Sequence, residues 1–196
     1  MSTRARCLAL TAGVLIAGAW EAAEPHGQDK IPRFTLGAYL SGAQEVVPPN
    51  APTTPSLGVE TDMSARVVVV FGRDLTDFRF RLNVQNGVKV TQAHLHCGRP
   101  GENGPVVVFL SALNAGGADI NGLLGQGTRR NQDVEPGAAA CEELIGRPVR
   151  NIASLAAAAA AGLIYANVHT VANPAGEVRG QLILEGSHND SSDEGY

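Results

Sequence analysis

Aromatic residues are scarce in this 196-residue chain, at 5%, and only one of them is tryptophan. A core must therefore be assembled from Val, Leu, Ile and Ala, within an apolar fraction of 44%. Basic clusters are missing as well. The formal net charge is −4 and no block of Lys and Arg occurs anywhere. Nucleic acid is thereby excluded as a partner, because phosphate contact needs clustered positive charge. Beyond the first twenty or so residues no stretch is apolar enough to span a bilayer. No serine-histidine-aspartate arrangement is evident, since neither Ser111 nor Ser154 sits in a nucleophile-type turn. Turn formers, in contrast, are plentiful. The 23 Gly and 11 Pro suit many short connections rather than long helices.

The N-terminus has the layout of a secretory signal. Arg4 and Arg6 precede an apolar run, Leu8 to Ala19, that is short for a membrane span. Ala17-Gly18-Ala19 supplies a small-x-small cleavage pattern, which makes residues 1–19 the signal, with a cut as late as Ala23 the alternative. An uncleaved membrane anchor is the competing reading. Residues 20–32 are polar and carry Pro25 and Pro32, as expected of a flexible leader. Residues 186–196 are small and acidic, as expected of a disordered tail. The folded domain is assigned to residues 33–185. The chain is thus expected to be secreted or periplasmic, with no membrane contact after signal cleavage. Of the three cysteines, Cys7 leaves with the signal, and Cys97 and Cys141 remain as an even pair. A bridge between them closes a loop of about 44 residues and contributes roughly 4 kcal/mol. The alternative makes Cys97, beside His96, a metal thiolate.

Period-two alternation recurs along the domain. Leu36, Ala38 and Leu40 share one parity, as do Phe78, Phe80, Leu82 and Val84 within Leu75 to Val84. Ser64 to Phe71, Val88 to His96, Val106 to Leu110, Ile164 to Thr170 and Val178 to Leu184 complete seven expected strands. In Ile164 to Thr170 the apolar face is Ile164, Ala166 and Val168, and the polar face is Tyr165, Asn167 and His169. One helix is expected over Asn151 to Ala161, with Gly162 to end it. Residues 114–137, Gly-rich and polar, read as a long loop. The fold class is all-β, an antiparallel β-sandwich with one short helix.

Four segments together carry a family resemblance. Ser41-Gly42-Ala43-Gln44-Glu45-Val46-Val47-Pro48-Pro49 resembles a "GAxEVPP" opening, and Ala93-His94-Leu95-His96-Cys97-Gly98 an "AHIHxG" strand end. Gly104-Pro105-Val106-Val107 resembles the "GPVV" that follows. Tyr165 to Thr170 and then Asn173 to Gln181 resemble a terminal "YVNVHT…NPxGEIRGQ", with Ala166 in place of the usual Val. In this order, over residues 34–184, they are similar to the CHRD domain, found in chordin and alone in secreted microbial proteins. The resemblance implies a β-sandwich similar at fold level to copper/zinc superoxide dismutase. It implies no settled activity.

The chemistry must come from the histidines. His94 and His96 are two apart on a strand and project from one face. His169 lies on the polar face of another strand. Three imidazoles make a natural nitrogen site for copper, which binds such donors more tightly than zinc, with zinc the second choice. Gln92, Asn167, Glu45 and Glu177 are candidates to orient the rings, and Arg179 to attract a small anion. A buried hydrogen-bond network with no metal is the structural alternative. Glu45 has two readings, an ion pair with an arginine such as Arg179 or support of a site histidine. Glu177 and Arg179 share strand parity and reach the same face or pair across the strand. Asn173-Pro174-Ala175-Gly176 reads as a plain turn. His26 and His188 fall in the two ends and are expected to face solvent.

Three function classes remain. The first is a copper carrier or store. The second is an enzyme of superoxide dismutase type, disfavoured because three histidines fall in the domain where such a copper site uses four; zinc-water hydrolysis lacks a general base that can be named. The third is a structural module that binds another exported protein.

Overall fold

The structure, a computed structural model, describes residues 34–47 and 58–185. The signal, leader and acidic tail, with His26, His188 and Pro48-Pro49, lie outside the described residues. No helix among the described residues is long and apolar enough to cross a membrane.

Among the described residues, eight strands form one antiparallel sheet. They are β1 (Phe34–Ser41), β2 (Ser64–Phe71), β3 (Asp77–Cys97), β4 (Val106–Phe109), β5 (Ala118–Arg130), β6 (Ile164–Thr170), β7 (Val178–Gln181) and β8 (Ile183–Leu184). The sheet closes on itself: β2 pairs with β1 and β3, β3 with β6, β6 with β7, and β7 with β1. The expected opposing layers are therefore opposite walls of one all-β sheet. Its interior holds the parity sets read from the sequence. Leu36, Ala38 and Leu40 meet Val67, Val69, Phe71, Phe78, Phe80 and Leu82, with Ala93, Leu95, Ala166 and Val168 on the facing wall. Phe71 and Phe78 pack with ring centroids 5.5 Å apart.

Two expectations are corrected. Leu75 to Val84 and Val88 to His96 are not separate strands; β3 runs through both as one 21-residue strand. Asn86 and Lys89 take left-handed conformations at φ 55° and 50°, and the ladder to β5 shifts register between Val84 and Val90. Such irregularities bend a strand without ending it. Gly87 sits inside the bend, where a Cβ would come within 2.8 Å of the Val84 and Val90 side chains. The bend lets β3 serve two walls, pairing with β2 over its first part and β6 over its second.

The second correction concerns residues 114–137. They are not a loop, because β5 occupies Ala118–Arg130 and pairs with β3 from Asp77 to Val90. Gly122, Gly125 and Gly127 interrupt any apolar alternation, so its strand character comes from the ladder rather than from its own side chains. The expected last strand is likewise broken at Leu182 into β7 and β8.

Two helices lie against the sheet. The first, α1 (Cys141–Ile145), was not expected; it ends at Gly146, φ 69°. The second, α2 (Ile152–Ala160), buries Ile152, Leu155, Ala156, Ala158 and Ala159. Asn151 caps it, accepting from the Ser154 N–H at 2.8 Å, and Gly162 follows its end at φ 71°. Cys97 at the end of β3 is joined to Cys141 of α1 by a disulfide, Cα–Cα 5.9 Å. The expected bridge is present, and the thiolate alternative for Cys97 is set aside.

Candidate metal centre

Strand register gathers the polar side chains on the outer face of the closed sheet. Across the β3–β6 ladder, Gln92 lies opposite His169, His94 opposite Asn167, and His96 opposite Tyr165. On β7, Arg179 lies opposite Asn167 and Gln181 opposite Tyr165. Residues directly opposite in an antiparallel pair share a face. The alternate positions Ala93, Leu95, Ala166 and Val168 point into the core. An outer face is ordinarily wet, yet every residue of β6 is buried. His94, His96 and His169 are 3%, 9% and 5% exposed. Loop segments supply the cover: Glu45 after β1, Arg99 to Gly104 after β3, and the turn after β6.

The three rings converge. Their centroids are 4.7 Å apart for His94–His169, 5.4 Å for His94–His96 and 6.1 Å for His96–His169. One ring nitrogen from each lies within 4.8 Å of the other two. Two of the rings are held from behind. The Nδ1 of His96 is 2.9 Å from the Gly104 carbonyl, and the Nδ1 of His169 is 3.0 Å from the Pro174 carbonyl. A carbonyl only accepts, so each Nδ1 carries the proton and each Nε2 presents a lone pair. Both Nε2 atoms are buried without a partner, and so are both ring nitrogens of His94.

Electrostatics keep the rings neutral. Burial, then the neighbouring His169 and His96 rings, pull the His94 pKa down to about 3. Burial pulls His96 down to about 4, with His169 and the Arg179 charge adding to it; the Gly104 hydrogen bond opposes without prevailing. Burial lowers His169 too, against its Pro174 bond. The result at neutral pH is a set of uncharged imidazoles with free lone pairs, the form that binds a metal.

A family model for the CHRD domain matches residues 36–182, which include every residue of this site. The chain belongs to the CHRD domain family. No curated protein and no solved structure matches it. Function in this CHRD domain is accordingly argued from the site itself.

Several of the residues expected to orient the rings have other partners. Among the described residues, no hydrogen bond joins Glu45, Gln92, Asn167, Glu177 or Arg179 to a ring nitrogen. Glu45 accepts from the Val46 N–H at 3.0 Å and the Asn167 amide at 2.6 Å. It makes no ion pair with Arg179, although burial raises its pKa and the arginine charge works against that rise. Arg179 lies 3.5 Å over the Tyr165 ring and donates to Asn103 Oδ1 and the Arg99 carbonyl. Glu177 accepts from Thr61, Thr170 and Asn173. Gln92 is half-buried beside His169.

Sequence reasoning missed the groups that do hold the rings. Two are backbone carbonyls, which no side chain advertises, although both lie at prolines: Gly104 precedes Pro105, and Pro174 sits in a turn assigned no chemistry. Tyr165 stacks on His96 at 4.9 Å and 9° between planes, and Phe109 sets edge-on to His94 at 4.6 Å. Period-two alternation placed Tyr165 on this face, and it was open to being read as a ring support.

Proposed function

We propose that this CHRD-domain protein is exported and binds one copper ion through His94, His96 and His169. The observation that carries the reading is the set of buried, unpartnered imidazole nitrogens drawn from two strands. A purely structural network leaves no such group, because a buried polar atom without a partner costs about 1–3 kcal/mol. Three donors on one ion at 2.0–2.1 Å lie about 3.3–3.6 Å apart, so the rings close on it by moving on the order of 1 Å. Neutral nitrogen donors bind copper more tightly than zinc, the other ion that imidazoles commonly hold. The Cys97–Cys141 disulfide is compatible with an oxidising compartment. Buried donors, with Phe109 against His94, suit retention of an ion more than turnover at it.

The test is a titration of the disulfide-intact chain with Cu(II). One equivalent taken up tightly by the wild type, with uptake by His96→Ala weakened by orders of magnitude, supports the reading. No uptake by the wild type at micromolar copper or zinc overturns it and leaves a structural or partner-binding module.

A further inference from the structure

Resting on that reading, we infer that Asn167 is the positioning residue of His94, and that Glu45 fixes the Asn167 amide for this task. His96 and His169 each have one ring N–H anchored on a carbonyl oxygen and one nitrogen left for the metal. His94 breaks the pattern. Both of its nitrogens are buried and unpartnered, so an ion that takes one leaves the other, an N–H, unanswered. A metal-bound imidazole ordinarily gives that second N–H to an oxygen, which sets the ring plane and strengthens the donor.

The missing acceptor lies directly across the ladder. Asn167 faces His94 in the β3–β6 register, on the same face of the sheet, at a separation in which cross-strand side chains meet. Asn167 is 2% exposed, and its Oδ1 is a buried acceptor without a donor. Apart from Ser111 Oγ, it is the one unpartnered buried side-chain atom outside the three rings among the described residues. The unfilled donor and the unfilled acceptor are thus neighbours of opposite kind.

Glu45 removes the ambiguity of the amide. Its carboxylate can only accept, and it holds Asn167 Nδ2 at 2.6 Å, so the amide cannot turn its nitrogen toward His94. Gly176, φ 136°, makes room for the pair. A Cβ there would stand 2.5 Å from Asn167 Nδ2 and 2.6 Å from Glu45 Oε2. Glu45 thereby supports a site histidine through the Asn167 amide instead of pairing with Arg179. The assembled chain runs Glu45 carboxylate, Asn167 amide, His94 ring, metal ion.

The test uses the full chain, labelled with nitrogen-15 at histidine and loaded with Zn(II) as a diamagnetic probe. In the wild type a slowly exchanging His94 ring N–H is expected, identified by its proximity to Phe109, beside those of His96 and His169. Asn167→Leu, close in size but without an acceptor, should lose the His94 signal alone and weaken zinc binding by about 10–100-fold. Asn167→Asp combined with Glu45→Gln, whose amide donates where the carboxylate accepted, restores an acceptor and should recover the signal and most of the affinity. A His94 N–H unchanged by Asn167→Leu, with unchanged affinity, overturns the inference while zinc binding stands. Should Asn167→Leu fail to fold, the wild-type spectrum still decides, since a His94 N–H in fast exchange contradicts the anchor. No zinc uptake by the wild type instead sinks the metal reading itself.

Discussion

Two polar clusters meet at β6, one around Glu177 and one around the three histidines, and they are built on opposite rules. Around Glu177 every oxygen is answered: Thr61 donates at 2.6 Å, Thr170 at 2.5 Å and Asn173 at 3.1 Å. Around His94, His96 and His169 four ring nitrogens have no answer. Glu177, Thr170 and the three histidines are all buried, so exposure of these side chains does not explain the difference. Strand β6 serves both, through Thr170 to a carboxylate that is fully answered and through His169 to imidazoles left short by a ligand. Glu177 ties the segment around Thr61 to the sheet and is structural; the histidines have their lone pairs held in reserve.

The comparison is most strongly tested by removing one ligand from the second cluster. His96→Ala should weaken copper binding by about three orders of magnitude, or about 4 kcal/mol, read by competition against a chelator of known affinity. Glu177→Ala should leave copper stoichiometry intact. It should instead cost about 2–4 kcal/mol of stability in urea unfolding, because two hydroxyls and an amide lose a charged acceptor.

Acid separates the clusters by window. The His94 and His96 rings have folded values of about 3 and about 4, against an ordinary 6.5, so between these limits the unfolded chain binds more protons than the native one. The metal-free protein should keep its full stability above pH 6.5. It should then lose up to about 1.4 kcal/mol per pH unit for each ring as pH falls toward 4, measured by urea midpoints. Glu177 acts lower. Burial pushes its pKa up, but the bonds from Thr170, Thr61 and Asn173 outweigh it and hold the group below 4.5. Its contribution is therefore present above 4.5 and lost beneath that.

The smallest effect sharpens the contrast most. His94→Leu removes a buried ring with two unanswered nitrogens, so the metal-free variant should match the wild type or exceed it by about 1 kcal/mol in urea. The same variant should bind copper far more weakly than the wild type. A loss comparable to that of Glu177→Ala would show that His94 has hidden partners.

What was legible from residues alone follows from where the information resides. Alternation in Leu36, Ala38 and Leu40, or in Ile164, Ala166 and Val168, reports which face is buried, and those strands read correctly. His94 and His96 share a face for the same reason, and export reasoning paired Cys97 with Cys141. The strand β5 was not legible, because Gly122, Gly125 and Gly127 remove its pattern and β3 supplies its register. The bend at Asn86 and Lys89 carries an Asn86-Gly87 pair, which alone reads as a turn between two strands and not as a bend within one. The Glu177 cluster depends on Thr61, 116 residues away, and the ring anchors depend on two carbonyls. Contacts of that kind exist only once the sheet has closed.

The central claim is that imidazoles from β3 and β6 meet on a single ion. X-ray absorption of the chain loaded with one equivalent of copper tests it most directly. Three imidazole nitrogens at about 2.0 Å, falling to two in His169→Ala, is the expected result. A wild-type spectrum with fewer than three imidazoles, or one that His169→Ala leaves unchanged, would contradict it.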